Sequence, residues 1–220
     1  MKLLLNLLLL TVIISCNGQT EKPKEEPRSE AVTSKKVVAY KGFDVANINF
    51  DETLKQFFDA TGLSLYQDQN QTTNLNMDYE EFVVPDAQEV AYFGVDLSKK
   101  FKDFSIFYPK KGQKIFCYEL SITSQEESKS VIKKFEQQYG KAVFSKQESS
   151  KTGTIFLDEN GEAKKDAFQN LYQWNDAKLH AVYFLIHSKD GLNIIALDKN
   201  SSMFKQWIDL RSLDMVFDIK

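Results

Sequence analysis

The sequence predicts an α+β fold, a single domain in which helices pack mainly on one face of an antiparallel sheet. Three observations carry it. Residues 104–122 alternate in hydropathy on either side of a turn built from Pro109, two lysines and Gly112. Residues 124–140 carry an apolar stripe at helical spacing with start and stop signals at its ends, and residues 168–197 read as three strands in a meander. Antiparallel strands followed by a helix therefore occur twice, over 104–140 and 168–210, the order a decayed strand–strand–helix duplication would leave.

The chain opens with Lys2, an apolar run over residues 3–14 broken only by Asn6 and Thr11, and then Ser15 and Cys16. A bilayer span needs ~20 apolar residues. A shorter run behind a positive residue and before a small one has the parts of an export signal. Ile13-Ile14-Ser15-Cys16 resembles the lipobox of bacterial lipoproteins: an aliphatic residue three before the cysteine, a small one just before it, then the cysteine. The resemblance implies a signal peptide over residues 1–15, diacylglyceryl transfer to the Cys16 thiol, cleavage before it and acylation of the new amino group. The expected product is a lipid-anchored protein of the cell envelope that labels with palmitate. Two or three acyl chains hold a protein stably where one does so only marginally. Asn17 resembles the residue that follows the cysteine in lipoproteins passed on to an outer membrane, since the retention signal has Asp there; the face, periplasmic or surface, stays open.

Residues 16–36 alternate charges of both signs around Pro23 and Pro27, and Val32 is their largest aliphatic side chain. Such a segment buries too little apolar surface to offset its ordering entropy, so a tether is expected, reaching about 60 Å fully extended. The alternating signs make it a spacer and not a basic membrane patch. Residues 37–220 are expected to form the globular α+β domain. The sequence holds 28 basic and 31 acidic residues, a net charge of −3. Removing Lys2 with the signal peptide leaves 27 against 31, so nucleic acid is not an expected partner. With Cys16 given to lipid, Cys117 stands alone and the domain must rest on its apolar core.

Within the domain, residues 37–40 predict a first strand. Asp51 is the expected cap of a helix that places Leu54, Phe57 and Phe58 on one face and ends before Gly62. Residues 67–74 read as a polar loop, and 80–84 and 89–97 as strands separated by Pro85-Asp86. In the hairpin, Phe116, Tyr118, Leu120 and Ile122 share the face expected to meet the core, with Ile115, Cys117, Glu119 and Ser121 opposite. Ser124 and Glu127 form a capping-box pattern, Val131, Ile132, Phe135 and Tyr139 the stripe behind it, and Gly140 the left-handed stop. Residues 154–158 suggest a strand ended by Asn160-Gly161. The meander has turns at Asn175-Asp176 and Lys189-Asp190-Gly191. Its middle strand is apolar on both faces, with Ala181, Tyr183 and Leu185 on one and Val182, Phe184 and Ile186 on the other, and is therefore central. Ser201 or Ser202 starts a last helix carrying Phe204, Trp207 and Ile208. Residues 131–141, ending in Tyr-Gly-Lys, with a later strand that carries Trp174, resemble a layout found in small exported α+β proteins of uncharacterised families; it covers under half the chain and brings no active site.

Chemistry is sparse. His180 and His187 are seven residues apart on one expected strand, hence on opposite faces, where they cannot share a metal. Cys117, between Phe116 and Tyr118, reads as a small apolar filler and not a nucleophile. Ser130-Val-Ile-Lys133, Ser202-Met-Phe-Lys205 and Lys151-Thr152-Gly153 match fragments of penicillin-recognising enzymes, but the middle element is missing and the order is wrong. Residues 158–162 echo a calcium loop without its ligand alternation. Trp174, Tyr172 and Tyr66 are candidates for a sugar or peptide platform, against the commoner role of such residues in a core. No catalytic residue, metal ligand or cofactor is assigned. The expectation is a membrane-anchored, non-catalytic module that holds a protein or cell-envelope partner through its sheet face or loops, residues 67–74 and 189–191 among them. The alternatives are an immunity or inhibitor lipoprotein acting on an extracytoplasmic toxin or hydrolase, and an unrecognised hydrolase.

Overall fold

The computed structural model describes residues 42–64, 71–72, 77–86, 88–152, 157, 161–163 and 167–219, all within one compact unit spanning 38–220. Cys16 and the rest of 1–36, the strand expected over 37–40, Tyr66, most of the 67–74 loop and all of the 154–158 strand but Leu157 lie outside the described residues. In chain order the elements are β1 (Phe43–Asp44), α1 (Leu54–Thr61), β2 (Gln71–Thr72), β3 (Tyr79–Val83), β4 (Val90–Tyr92) and β5 (Val95–Asp96). There follow β6 (Phe101–Pro109), β7 (Cys117–Ile122), α2 (Gln125–Tyr139), β8 (Phe144–Ser149), β9 (Phe168–Asp176), β10 (Ala181–Ser188), β11 (Gly191–Asp198) and α3 (Phe204–Leu210). The fold is α+β. Eight strands form one antiparallel sheet in the order β2-β3-β6-β7-β11-β10-β9-β8, and β1, β4 and β5 make a small mixed sheet.

Both faces of the large sheet are covered. On the first, Tyr118, Leu120, Tyr183 and Leu185 pack with Leu54 and Phe57 of α1 and Val131 and Phe135 of α2. On the second, Phe107, Val182, Phe184 and Leu197 pack with Trp207 and Ile208 of α3. β10 lies between β9 and β11 with its two apolar sets divided between the faces as its sequence requires. Two of the three α-helices among the described residues thus share one face. The order β6-β7-α2 recurs as β10-β11-α3, but with the helices on opposite faces. A two-fold relating the antiparallel neighbours β7 and β11 would keep both on one face, so the recurrence is one of order and not of packing.

Local chemistry moves several boundaries. α1 is capped by Thr53, not Asp51: Gln56 N donates to Thr53 Oγ1 at 3.3 Å while Thr53 N donates to Gln56 Oε1 at 2.8 Å. At the start of α2 the Ser124 hydroxyl binds the Glu127 carboxylate instead of a backbone N–H, and Glu127 also pairs with Lys100. Gly140 stops α2 at φ 76° and ψ −153°, outside the left-handed helical well and in a region essentially restricted to glycine. The strand expected over 89–97 is broken into the β4–β5 hairpin. Asp44 fastens its turn by accepting from Phe93 N at 2.9 Å and Gly94 N at 2.6 Å. Ile115 and Phe116 exchange faces relative to expectation, because Ile115 N donates to Glu52 O and the regular β7 ladder begins only at Cys117. β9 runs on to Asp176, whose carboxylate accepts from Lys178 N and Leu179 N. The turn therefore falls at 177–180, and Leu179 and His180 leave the strand. Gln71 and Thr72, expected in a loop, pair with β3.

Candidate functional site

Strand polarity gathers three connections at one end of the sheet. Cys117 pairs with Leu197 and Ala181 with Asp198, so the β6–β7 turn, the β9–β10 turn and the β11–α3 link all emerge together. They surround a cleft of about 320 Å³. Its floor is backed by Phe50, Ile115 and Phe116, all buried, and its accessible apolar lining is the half-buried Pro109 and Leu179. Its polar side carries both charges: Lys111 and Lys114 from the first turn, His180 from the second, Asp198 and Ser201 from the third, with Asp51 beside them.

The polar side chains are partly committed to shaping the loops. Lys114 Nζ donates to Asp51 Oδ1 at 3.1 Å, an exposed pair that adds little stability but fixes the rim. Asp198 Oδ1 accepts from Asn200 N at 2.8 Å and Ser201 Oγ from Met203 N at 3.1 Å. Gln113 and His180 both hold φ 52°, which costs a residue with a Cβ about 1–2 kcal/mol. Backbone bonds from other segments sustain them: Leu54 N donates to Gln113 O and Lys199 N to His180 O. Turns held in strained geometry by their neighbours are pre-organised, which lowers the ordering cost of binding.

The remaining candidates are scattered. His187 lies at the far end of β10, 5 % exposed, with Nε2 3.0 Å from Gln125 Oε1 and its ring edge-on to Phe168. Burial, with Lys129 adding to it, holds its pKa below the ordinary value. The same Gln125 donates through Nε2 to the carbonyls of Ser188 and Lys189, so the 189–191 turn is tied to α2. His180 and His187 thus sit at opposite ends of β10, and not on opposite faces of one strand. Cys117 has no solvent exposure, and burial pushes its thiol well up, which suits the filler role. Trp174 is buried, stacks on Tyr172 and donates Nε1 to Gly140 O at 2.9 Å, so it is core and not platform. Ser130 and Lys133 lie on α2 and Lys205 on α3, across the sheet from one another. Among the described residues no group of three or more His, Cys, Asp or Glu is placed to hold a metal ion. No helix among them is long and apolar enough to cross a membrane.

Two further features stand on the second face and beside the small sheet. Glu119 accepts from Trp207 Nε1 at 3.1 Å and from Arg211 in a two-bond fork at 2.8 and 2.9 Å, which clamps α3 to β7. An open hollow of about 630 Å³ next to β1 and β4 is lined by Asp44 and Asp96, but both carboxylates accept backbone N–H groups and serve as loop fasteners. Gln173 is different: its Oε1 is buried and has no hydrogen-bond donor among the described residues.

Residue patterns alone missed Lys111, Lys114 and Asp198 as site residues. The order of strands was the available signal for them, since antiparallel strands that alternate in direction bring every second connection to the same end. The chain matches no family model, no curated protein and no solved structure.

Proposed function

We propose that this chain is a lipoprotein anchored through Cys16 to the cell envelope, at the outer membrane, and that its globular unit binds a protein or cell-wall partner without catalysing a reaction. The anchor rests on the resemblance of residues 13–16 to the lipobox and on Asn17 after it. The binding reading is carried by one observation: the sheet-end cleft, where the half-buried Pro109 and Leu179 stand over the buried Phe50, Ile115 and Phe116 and a pre-organised rim of mixed charge surrounds them. An apolar patch ringed by polar groups of both signs is how a surface grips a peptide or glycan while excluding water at the centre. Recognition asks only for complementarity, whereas catalysis needs an aligned acid, base or nucleophile.

Two measurements test it in the cells that make the protein. Wild-type protein incorporates palmitate and partitions into detergent, and Cys16→Ser leaves an unprocessed, unlabelled precursor; equal behaviour of the two forms removes the anchor. A photocrosslinking residue at Lys111 or Ser202 yields a discrete adduct, and one at Lys134 on the exposed side of α2 does not. Adducts at all three positions, or at none, count against the cleft. Should the captured partner be a secreted toxin or hydrolase, the same surface is the inhibitory face of an immunity lipoprotein. Loss of all biological activity in His180→Ala, at unchanged melting temperature, would instead mean a catalytic role.

A further inference from the structure

The structure assigns the outer edge of β8 to a second copy of this chain: two β8 strands pair antiparallel about a two-fold axis at Gln147, which sets Lys146 of each copy opposite Glu148 of the other. β8 closes the large sheet at one end, and no strand among the described residues lies beyond it. Bare edges template further pairing, and proteins blunt them with short strands, proline, bulges or unmatched charge. β2, at the sheet's other end, is two residues long. β8 runs for six residues without proline and holds an unbroken register with β9. Its lysine is matched by a glutamate on the same strand.

The ladder to β9 fixes which backbone groups face outward. Just past the strand, Ser150 N donates to Ala167 O at 2.8 Å. Counting back along the continuous register, the even-numbered residues bond to β9. The N–H and C=O groups of Ser145 and Gln147 therefore point away from the sheet. Side chains alternate in the same step. Phe144 packs on Phe217 of the second face, so Lys146 and Glu148 stand on that face too, with Nζ and Oε1 2.6 Å apart. Their side chains are 55 % and 26 % exposed, open to a partner at the edge.

Because outward bonds come from odd-numbered residues, a symmetric antiparallel pair has few possible centres. Centred at Lys146 or at Glu148, it sets lysine against lysine or glutamate against glutamate. Centred at either end of the strand, it leaves half of β8 unpaired. Centred at Gln147, it engages the strand along its length and sets Lys146 against Glu148 twice. Where facing residues exchange no backbone bonds their Cα atoms lie about 4.5 Å apart, close enough for opposite charges to attract and like charges to repel. The Lys146–Glu148 pair within each copy then closes with its counterpart into a ring of four alternating charges. This edge is independent of the anchor and of the cleft, and neither failing would touch it.

Charge exchange is the test, read by sedimentation of the full-length protein in excess detergent. Wild type is expected to dimerise. Lys146→Glu sets glutamate against glutamate at both facing pairs, and Glu148→Lys sets lysine against lysine, so each variant alone should associate roughly tenfold more weakly or worse. Mixed together, the two variants regain opposite charges at both pairs, and differently tagged copies should co-purify as a mixed dimer of near-wild-type affinity. The double variant, Lys146→Glu with Glu148→Lys, should self-associate as wild type does. Sharing of a micelle is common to every form and cancels in the comparison. Gln147→Pro is the backbone variant: proline is tolerated on an edge strand where the N–H faces outward, so the sheet should stay folded by circular dichroism while the dimer is lost. Wild type that stays monomeric at millimolar concentration overturns the proposal. So does a dimer that both single variants form as well as wild type, or a pair of single variants that fail alone and fail again when mixed.

Discussion

The imidazole of His187 is enclosed by Gln125, Phe168 and the sheet, with Lys129 as the nearby charge that opposes its protonation. Its folded pKa lies below the ordinary value, so the folded protein prefers it neutral. A group depressed in this way contributes stability that is present in full above the unfolded pKa, about 6.5 for histidine, and is lost as pH falls through the folded value. The melting temperature of wild type should therefore drop between pH 7.5 and pH 5 by more than that of His187→Gln, which cannot titrate there. Parallel curves for the two proteins would mean that His187 does not report on folding. Because Gln125 also holds the Ser188 and Lys189 carbonyls, the protection of amides in the 189–191 turn, measured relative to their intrinsic exchange rate at each pH, should fall over the same pH interval.

Elements in this fold end where the backbone must do something a side chain resists. Gly191 opens β11 at φ 129°, and a Cβ built there would lie 1.9 Å from the carbonyl oxygen of Ile122 on β7, a backbone atom that cannot yield without parting the two strands. Gly140 closes α2 in an equally restricted conformation, but a Cβ there meets nothing within 4 Å. The two substitutions separate conformational strain from collision. Gly140→Ala should cost about 1–3 kcal/mol, the range for a strained backbone position. Gly191→Ala should cost more than Gly140→Ala in the same urea titration, and equal midpoints would show that the β7–β11 contact has slack. The polar edge strand β8 illustrates the opposite case. Phe144-Ser-Lys-Gln-Glu-Ser149 has no alternation to read, because an edge strand half in water gains from neither face, and it exists through its ladder to β9.

At the scale of the molecule, two apolar clusters share one sheet. The strands β10 and β11 donate side chains to both, so neither face can open without exposing the reverse of the other. The two tryptophans fall one to each side: Trp174 against Phe135 on the first face, Trp207 among Tyr79, Phe107 and Phe116 on the second. Trp174→Phe and Trp207→Phe therefore leave one reporter per face. Scaled to its own variant's stability by circular dichroism, each fluorescence transition in urea should coincide with loss of the sheet, as two-state unfolding requires. A fluorescence transition that precedes the circular-dichroism one would show that its face melts alone.

Local sequence determined the parts whose physics is local. The hairpin alternation over 104–122, the stripe Val131-Ile132-Phe135, the doubly apolar β10 and the α+β class follow from periods of two and 3.6 residues, which need no partner to be read. Only tertiary structure decided the rest. Asp44 reaches fifty residues along the chain to break 89–97 into a hairpin, a long-range bond that no window of sequence contains. The side each helix covers depends on which face of the sheet remains open when it docks. α3 took the second face, where Glu119 binds Trp207 and Arg211. Lys111, His180 and Asp198 meet because antiparallel strands return their ends to one place, and Gln173 stands between two phenylalanines because register, not adjacency, sets its neighbours.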